Sequence, residues 1–366
     1  MIRILHTIDT TGPGGAETVF INLIKGLDPA QFQSFAAIRG LGWVCNTLRK
    51  NGIDPLFIPS RGGFNIRYLL ELVKIIYRYK IDIVQSHLLG SNVYCSLAGM
   101  ICRVLVFSTF HGFVDSSDED RLMLLKSRII NYGSGKIVFV SERLREYYLQ
   151  EFGFSPSKSI TIYNGVDTSF FRPQKDDSIR KELGLDPKKI LIGAVGNIRT
   201  AKGYDIFLRA ARLIHEKQPE CRFIIVGEGS GALYESLLNL RKELGLEKVF
   251  FFLGFREDTG RVYNNLDIFI SSSVSEGFSI STIEAMACGI PIVVTRSGGP
   301  DEIIRDYKNG IIVNNNEMEI ANAVISIVDN IGIKRDASIY TCDVILNKFS
   351  MSRMIEMYQN CYKQFL

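Results

Sequence analysis

The chain is 366 residues long, 46% hydrophobic and 22% charged, with a formal net charge of +4 at pH 7. That length leaves room for two domains with cores of their own, and the composition excludes a disordered or fibrous chain, while so small a basic excess does not mark a nucleic-acid binder. The seven cysteines, Cys45, Cys95, Cys102, Cys221, Cys288, Cys342 and Cys361, are odd in number and lack any C-x-x-C pair, which argues against a disulfide framework or zinc cluster and fits a reducing cytosol.

No apolar run approaches the ~18 residues that a membrane span requires, and the opening Met1-Ile-Arg-Ile-Leu is too short for a signal-peptide core. Ile2 to Ile8 reads as a first strand. Gly12, Gly14 and Gly15 follow, and Val19 to Leu27 then repeat apolar residues at helical spacing. Strand, glycine loop and helix open a doubly wound α/β domain. Glu17 stands where G-x-G-x-x-G places its third glycine, which weakens a dinucleotide reading and leaves a tight turn as the simpler account.

Further strands are expected at Phe35 to Ile38, Pro55 to Ile58, Ile83 to Ser86 and Val104 to Thr109. Between them, Ile66 to Tyr79 has helical spacing with Arg67, Lys74, Arg78 and Lys80 on or beside it. A membrane surface can bind such a helix, but the flanking strand signals favour a crossover helix that covers a sheet. His111 follows a strand, at a carboxyl end where a crevice ligand sits. His87 has a similar setting with less support; His6 and His215 read as structural. Asp118-Glu119-Asp120 is a literal D-x-D, a pattern that can hold a metal, yet acidic residues opening a helix through Leu122 to Leu125 explain it without one. Asn164-Gly165 is a turn signal after Ile160 to Tyr163, and residues 168–188, with Pro173, Pro187 and many charges, read as a linker. The basic excess lies before that linker, and the remainder is balanced.

The second half restarts the pattern. Ile190 to Gly196 is a strand, and Asn197 to Gly203 form a loop into a helix from Tyr204 to Ile214. Arg199 and Lys202 at that helix start can clamp a diphosphate or serve as solvated surface charge. Phe223 to Gly227 leads into Gly227-x-Gly229-x-x-Ala232, a literal G-x-G-x-x-A with Glu247 beyond it. It follows the second strand of this half rather than the first, and Glu247 precedes the next apolar run, both unlike the dinucleotide fingerprint. Val249 to Phe255 reads as another strand.

Asp267 to Ser273 is an apolar run of strand type, and Ile292 to Thr295 is another. Between them Ser279 or Ser281 can cap a short helix that carries Glu284 to Ala287, with Gly289 and Pro291 as stops. The amides of Gly277, Phe278, Ser279 and Ile280 would then point out of the helix start, where free donors and the dipole favour a diphosphate. Glu276 before the helix and Glu284 inside it can bracket an elongated polyhydroxy ligand; acidic charge placed near a helix start for stability is the plainer account. Ile320 to Val328 and Met351 to Phe365 read as later helices.

Glu276 to Pro291 resembles the Glu-x7-Glu block of retaining GT-B glycosyltransferases of family 4 (glycosyltransferase group 1), through the continuation Glu284-Ala-Met-Ala-Cys-Gly-Ile-Pro-Ile-Val-Val. The likeness covers nearly the whole chain and is strongest between residues 190 and 315. By resemblance Glu276 touches the donor sugar and Glu284 the ribose. Gly15, in Gly14-Gly15-Ala16-Glu17, resembles the family's loop residue at the donor phosphates, and His111 its sugar-contacting histidine. Lys202-Gly203 matches the family's lysine. The family's arginine usually stands where this chain has Asn197, so Arg199 takes that role by proximity. Phe255 ends the strand where the family receives the nucleotide base on main-chain atoms.

The resemblance implies an α/β protein of GT-B fold, two Rossmann-like doubly wound domains facing each other across a cleft. Residues 1–167 form an acceptor-side domain, 168–188 a linker, 189–348 the nucleotide-sugar-binding domain, and 349–366 a helix that crosses back to the first domain. The implied activity is retaining, metal-independent transfer of a sugar from a nucleotide-diphosphate donor, UDP or GDP sooner than ADP, to a glycan or lipid-linked acceptor in cell-surface polysaccharide biosynthesis. No cofactor, metal or nucleic acid is expected. A cytoplasmic protein is expected, with its basic first domain in peripheral contact with the anionic inner face of the membrane. A nucleotide-sugar epimerase of the same fold and a non-catalytic sugar-nucleotide-binding protein are the rival readings.

Overall fold

The computed structural model describes residues 1–59, 65–113, 122–304, 310–330 and 344–364. They divide into two α/β units, Met1–Asn164 with Met351–Leu366, and Gly165–Ser350. Asp118, Asp120 and Cys342 lie outside the described residues; the other cysteines are free thiols.

The first unit is built on strands β1 (Ile2–Ile8), β2 (Phe32–Ile38), β3 (Leu56–Phe57), β4 (Ile83–His87), β5 (Leu105–Phe110), β6 (Lys136–Phe139) and β7 (Ser159–Thr161). They form one seven-stranded sheet in the order β3-β2-β1-β4-β5-β6-β7, with every pair parallel. Ile4, Leu5, Ile83, Val84, Val106 and Phe107 are fully buried, as expected for consecutive residues of a sheet covered on both faces. The helix Ile66–Tyr79 buries Tyr68, Leu69, Leu72 and Ile76 against Leu5, Val84 and Val106, so it is the crossover helix that its flanking strands suggested.

Helix boundaries follow hydrogen bonding rather than apolar spacing. The first helix starts at Gly15, earlier than Val19, because the Thr18 hydroxyl and amide both bond back to Gly14 O, at 2.9 and 3.0 Å. The C-terminal helix Met351–Lys363 belongs to the first unit, where Tyr358 and Tyr362 are buried and Tyr362 meets the ring of Phe107 at 4.9 Å.

The second unit has β8 (Ile190–Val195), β9 (Cys221–Val226), β10 (Phe250–Phe252), β11 (Ile268–Ser271), β12 (Ile292–Thr295) and β13 (Gly310–Val313), in the order β10-β9-β8-β11-β12-β13, again all parallel. Phe207, Phe223 and Phe250 pack together in its core, Phe223 and Phe250 stacked and Phe207 edge-on to the first and tilted to the second. The strand expected over Val249 to Phe255 is shorter, because Gly254 turns the chain at φ +68°. Residues 168–188 include a short helix, Ser178–Glu182, whose Arg180 donates to Asn265 O and Lys189 O and pairs with Asp267.

In each sheet the strand order reverses once, at β1/β4 and at β8/β11. Loops leaving the carboxyl ends of those strands diverge and open a crevice, the usual ligand position in such sheets. The Gly227-x-Gly229-x-x-Ala232 segment follows β9 instead. A Cβ on Gly227 would overlap Gly196 O, and one on Gly229 would lie 2.5 Å from Ile198. These glycines permit close packing of neighbouring loops, which accounts for the motif without a dinucleotide.

Candidate functional site

At the switch point of the second sheet, the loop after β8 and the loop after β11 are tied together. Val274 N donates to Ala201 O at 2.8 Å, and Ser272 Oγ to Lys202 O at 2.9 Å. That join places Lys202 Nζ 2.8 Å from Glu276 Oε2, and Ser273 Oγ donates to the same oxygen at 2.8 Å. The Glu276 main chain is held as well: its amide donates to Ser297 O and its carbonyl accepts from Gly299 N. Lys202 and Glu276 keep 21% and 15% of their side-chain surface, so the pair is shielded yet reachable. An incoming phosphate can draw the ammonium while sugar hydroxyls donate to the carboxylate.

The helix Ile280–Ala287 begins beside this pair. Its N-cap is Ser279, fully buried, whose Oγ accepts from the Thr282 amide and hydroxyl at 3.4 and 2.8 Å. Gly277 and Phe278 therefore precede the cap; the Thr282 and Ile283 amides bond back to Ser279 O, at 3.2 and 3.4 Å, while those of Ile280 and Ser281 come too early in the helix to reach an i−4 carbonyl within it. Phe278 is buried against Phe349, with ring centroids 5.9 Å apart, so it has main chain rather than side chain to offer a ligand.

Glu284, one turn on, is half-buried, and Tyr263 Oη donates to its Oε2 at 2.8 Å. Burial pushes the Glu284 carboxyl up to about 7, while the Tyr263 hydrogen bond and the charge of Lys202 act the other way. Tyr263 is itself fully buried, with Phe171 and Phe269 each 5.8 Å away. Sequence reasoning missed Tyr263 and Ser273. Nothing in a lone tyrosine marks it, but a serine directly past an apolar strand and three residues before Glu276 is a readable signal.

Arg199 is exposed, and its guanidinium has no ion-pair partner among the described residues. Asn197, at the position of the family arginine, accepts the Glu228 amide at 3.0 Å and joins the loops after β8 and β9. Phe255 is 44% exposed just past β10.

The other two candidates lie on the first unit. Gly15 is exposed at the start of its helix, and the buried Glu17 accepts the Thr10 hydroxyl. His111 is half-buried directly after β5, its Nε2 2.9 Å from Nδ1 of the fully buried His87, the rings stacked with centroids 5.2 Å apart. Burial holds His111 down at about 3 and His87 well below the ordinary imidazole range, the nearby His111 and His6 adding to the latter. His87, the less supported histidine in the sequence, is thus the direct partner of His111. His6 is fully buried beside Ser34, as a structural residue would be.

Comparison with known proteins gives this geometry a context. Residues 175–341 match the family described as glycosyl transferases group 1, and residues 13–170 match glycosyltransferase family 4. The Escherichia coli UDP-Gal:alpha-D-GlcNAc-diphosphoundecaprenol alpha-1,3-galactosyltransferase is 26% identical over 312 residues, 81% of this chain and 79% of that protein. The D-inositol 3-phosphate glycosyltransferase of Mycobacterium sp. (strain JLS) is 34% identical over 251 residues, 65% of this chain and 56% of that protein, so the match spans little more than half of that relative. Among solved structures, Anabaena HepE in complex with UDP and glucose superposes with a TM-score of 0.90 at 19% identity, covering 99% of this chain and 100% of that one. A glycosyltransferase from Rickettsia africae gives 0.86 at 22%, covering 99% and 98%.

Proposed function

Because the chain belongs to the glycosyl transferases group 1 and has their GT-B fold, we propose that it moves a hexose from a nucleoside-diphosphate donor, with retention and without a metal, onto a glycan or lipid-linked acceptor. The observation that carries the reading is the Lys202–Glu276 pair beside the start of the helix Ile280–Ala287, with Glu284 one turn further in. Leaving-group charge is met by Lys202 and by main-chain amides of the 277–280 turn, donors fixed before charge develops, and more weakly by the exposed Arg199. Glu276 accepts from the sugar hydroxyls, Glu284 from the ribose diol, and the main chain at Phe255 receives the base. Gly15 and His111, on the first unit, are the residues to which the family resemblance gives a phosphate and a sugar contact. Reaction on one face of the sugar, with the departing diphosphate drawing the acceptor proton, preserves configuration.

UDP is the favoured nucleotide, since the Escherichia coli relative is named for a UDP-Gal donor and HepE was solved with UDP. The relatives' named acceptors carry phosphate or diphosphate, which suits a basic first half of the chain. Leu124, Leu125 and Tyr132 are exposed on the helix Met123–Gly133 with Lys126 and Arg128 among them, a surface suited to peripheral contact with an anionic membrane that presents such an acceptor. Among the described residues no helix is long and apolar enough to cross one.

Thermal denaturation with UDP, GDP and ADP sugars, each in magnesium and in EDTA, tests the proposal. A UDP sugar is expected to raise the midpoint equally in both, because a ligand bound only by the folded state stabilises it by mass action. A shift confined to magnesium overturns metal independence, and no shift with any nucleotide overturns the site.

A further inference from the structure

The hydrogen bonds behind His111 run inward to the C-terminal helix, and they have a direction. Tyr362 donates its hydroxyl to Gln85 Oε1 at 2.9 Å. The Gln85 amide nitrogen then lies on the other side, where it donates to Thr109 Oγ1 at 2.8 Å and to Ser86 O at 3.3 Å. A hydroxyl can donate or accept, but the Ser86 carbonyl only accepts. It excludes the flipped amide, whose oxygen would face another oxygen. The same amide nitrogen lies 3.4 Å from His87 Nε2. A proton on Nε2 would set two donors against each other in a buried site, so Nε2 is bare and the ring carries its proton on Nδ1. Nδ1 lies 2.9 Å from His111 Nε2 and donates to it. His111 Nε2 therefore accepts, and the His111 proton sits on Nδ1. One proton per ring is the right count because burial disfavours a charge on either imidazole.

We infer that Gln85, oriented by the Ser86 carbonyl and acting through His87, is a positioning residue that sets the tautomer of His111, with its proton on Nδ1. The tautomer follows from the hydrogen bonds together with the burial that keeps both rings neutral. Only its use as a donor rests on the reading of His111 as a sugar-contacting residue.

Long-range proton–nitrogen NMR of chain labelled with 15N at its four histidines, assigned by replacing them one at a time, reads the tautomers directly. Both His87 and His111 are expected to show a protonated Nδ1 and a bare Nε2 near neutral pH. In Gln85→Glu the new carboxylate accepts from His87 Nε2–H, so His87 Nδ1 becomes an acceptor and both rings reverse. Tyr362→Phe leaves the Ser86 carbonyl in place to orient the amide and is expected to keep both tautomers. An Nε2–H on His111 in the unaltered chain overturns the relay, as does a Gln85→Glu spectrum identical to it. Should Gln85→Glu fail to fold, the unaltered chain and Tyr362→Phe decide the same question. Turnover of a nucleotide sugar is read separately. Gln85→Glu is expected to lower kcat by about 10²-fold, as for loss of one aimed donor, with UDP affinity unchanged. Full turnover alongside reversed tautomers overturns the donor role while sparing the relay.

Discussion

At the carboxyl ends of β4 and β5, the first unit carries imidazoles, the fully buried His87 closing β4 and the half-buried His111 directly after Phe110. Past β8 and β11, the second unit carries an ammonium against a carboxylate. The two sheets share one winding plan, so the difference lies in what solvent can reach. In the buried setting a charge is costly, and a neutral ring supplies a directional bond without that cost. In the more open setting a charged pair persists and can exchange partners with a ligand. The first unit is thereby suited to orienting a neutral group and the second to gripping an anionic one.

Lys202→Met tests the gripping half of that contrast most severely. It leaves the Glu276 carboxylate with Ser273 as its partner among the described residues and removes the cation paired with it, so UDP affinity and kcat/KM are both expected to fall on the order of 10²–10³-fold. Titration calorimetry with UDP reads the first and product release the second. His111→Ala is the matched control: transfer is expected to drop while UDP affinity holds. Equal loss of nucleotide binding in both variants would erase the distinction.

Gly299→Ala attacks the same site through its backbone. A Cβ there would lie 2.6 Å from both Gly277 O and Phe278 Cα, and Gly299 N anchors the Glu276 carbonyl. The turn before Ser279 must shift, at a cost of about 1–3 kcal/mol, as for an overpacked core position. Thermal denaturation should show that loss together with a smaller midpoint gain from UDP.

Glu284 sharpens the comparison because it stands between the two regimes, a carboxyl in the second unit governed by burial. Its folded value of about 7 exceeds the ordinary 4.5, so between those limits the folded chain binds the extra proton. Stability therefore falls as pH rises through that window and levels above it. A ribose diol donates best to the ionised form, so UDP affinity is expected to rise across the same window. Glu284→Gln should flatten both profiles. Tyr263→Phe removes the hydrogen bond that favours ionisation and should move the affinity midpoint upward, with a stability loss of about 1–2 kcal/mol. Calorimetry repeated across pH checks each.

Both winding patterns were legible because apolar strands alternate with helical spacing and glycine loops along the chain, and β1, β8 and β11 stand where their apolar runs predict. Ser279 as a cap and Lys202 beside a glycine were legible for the same local reason. Pairings between distant segments were not. Tyr263 reaches Glu284 from a different helix, and Tyr362 reaches Gln85 from the far end of the chain. A tyrosine hydroxyl at such a distance leaves no periodicity or spacing to read, and neither does the carbonyl of Ser86 that orients Gln85. The short β10 was also hidden, since Val249 to Phe255 is apolar throughout and only the backbone at Gly254 ends the strand.

Arg199→Gln is the mildest test and the one that separates charge from constraint. Lys202 is held by Glu276 within a tied pair of loops, whereas Arg199 is exposed and unpaired among the described residues. An exposed cation of that kind contributes roughly 0.2–1 kcal/mol and is screened by salt. UDP affinity should weaken only a few-fold in low salt, and the difference should shrink as ionic strength rises. A salt-independent loss as deep as that of Lys202→Met would mean that Arg199 is fixed on the phosphates like the family arginine. Asn197 would then have ceded that task completely, and burial of the partner would no longer distinguish the strong cation from the weak one.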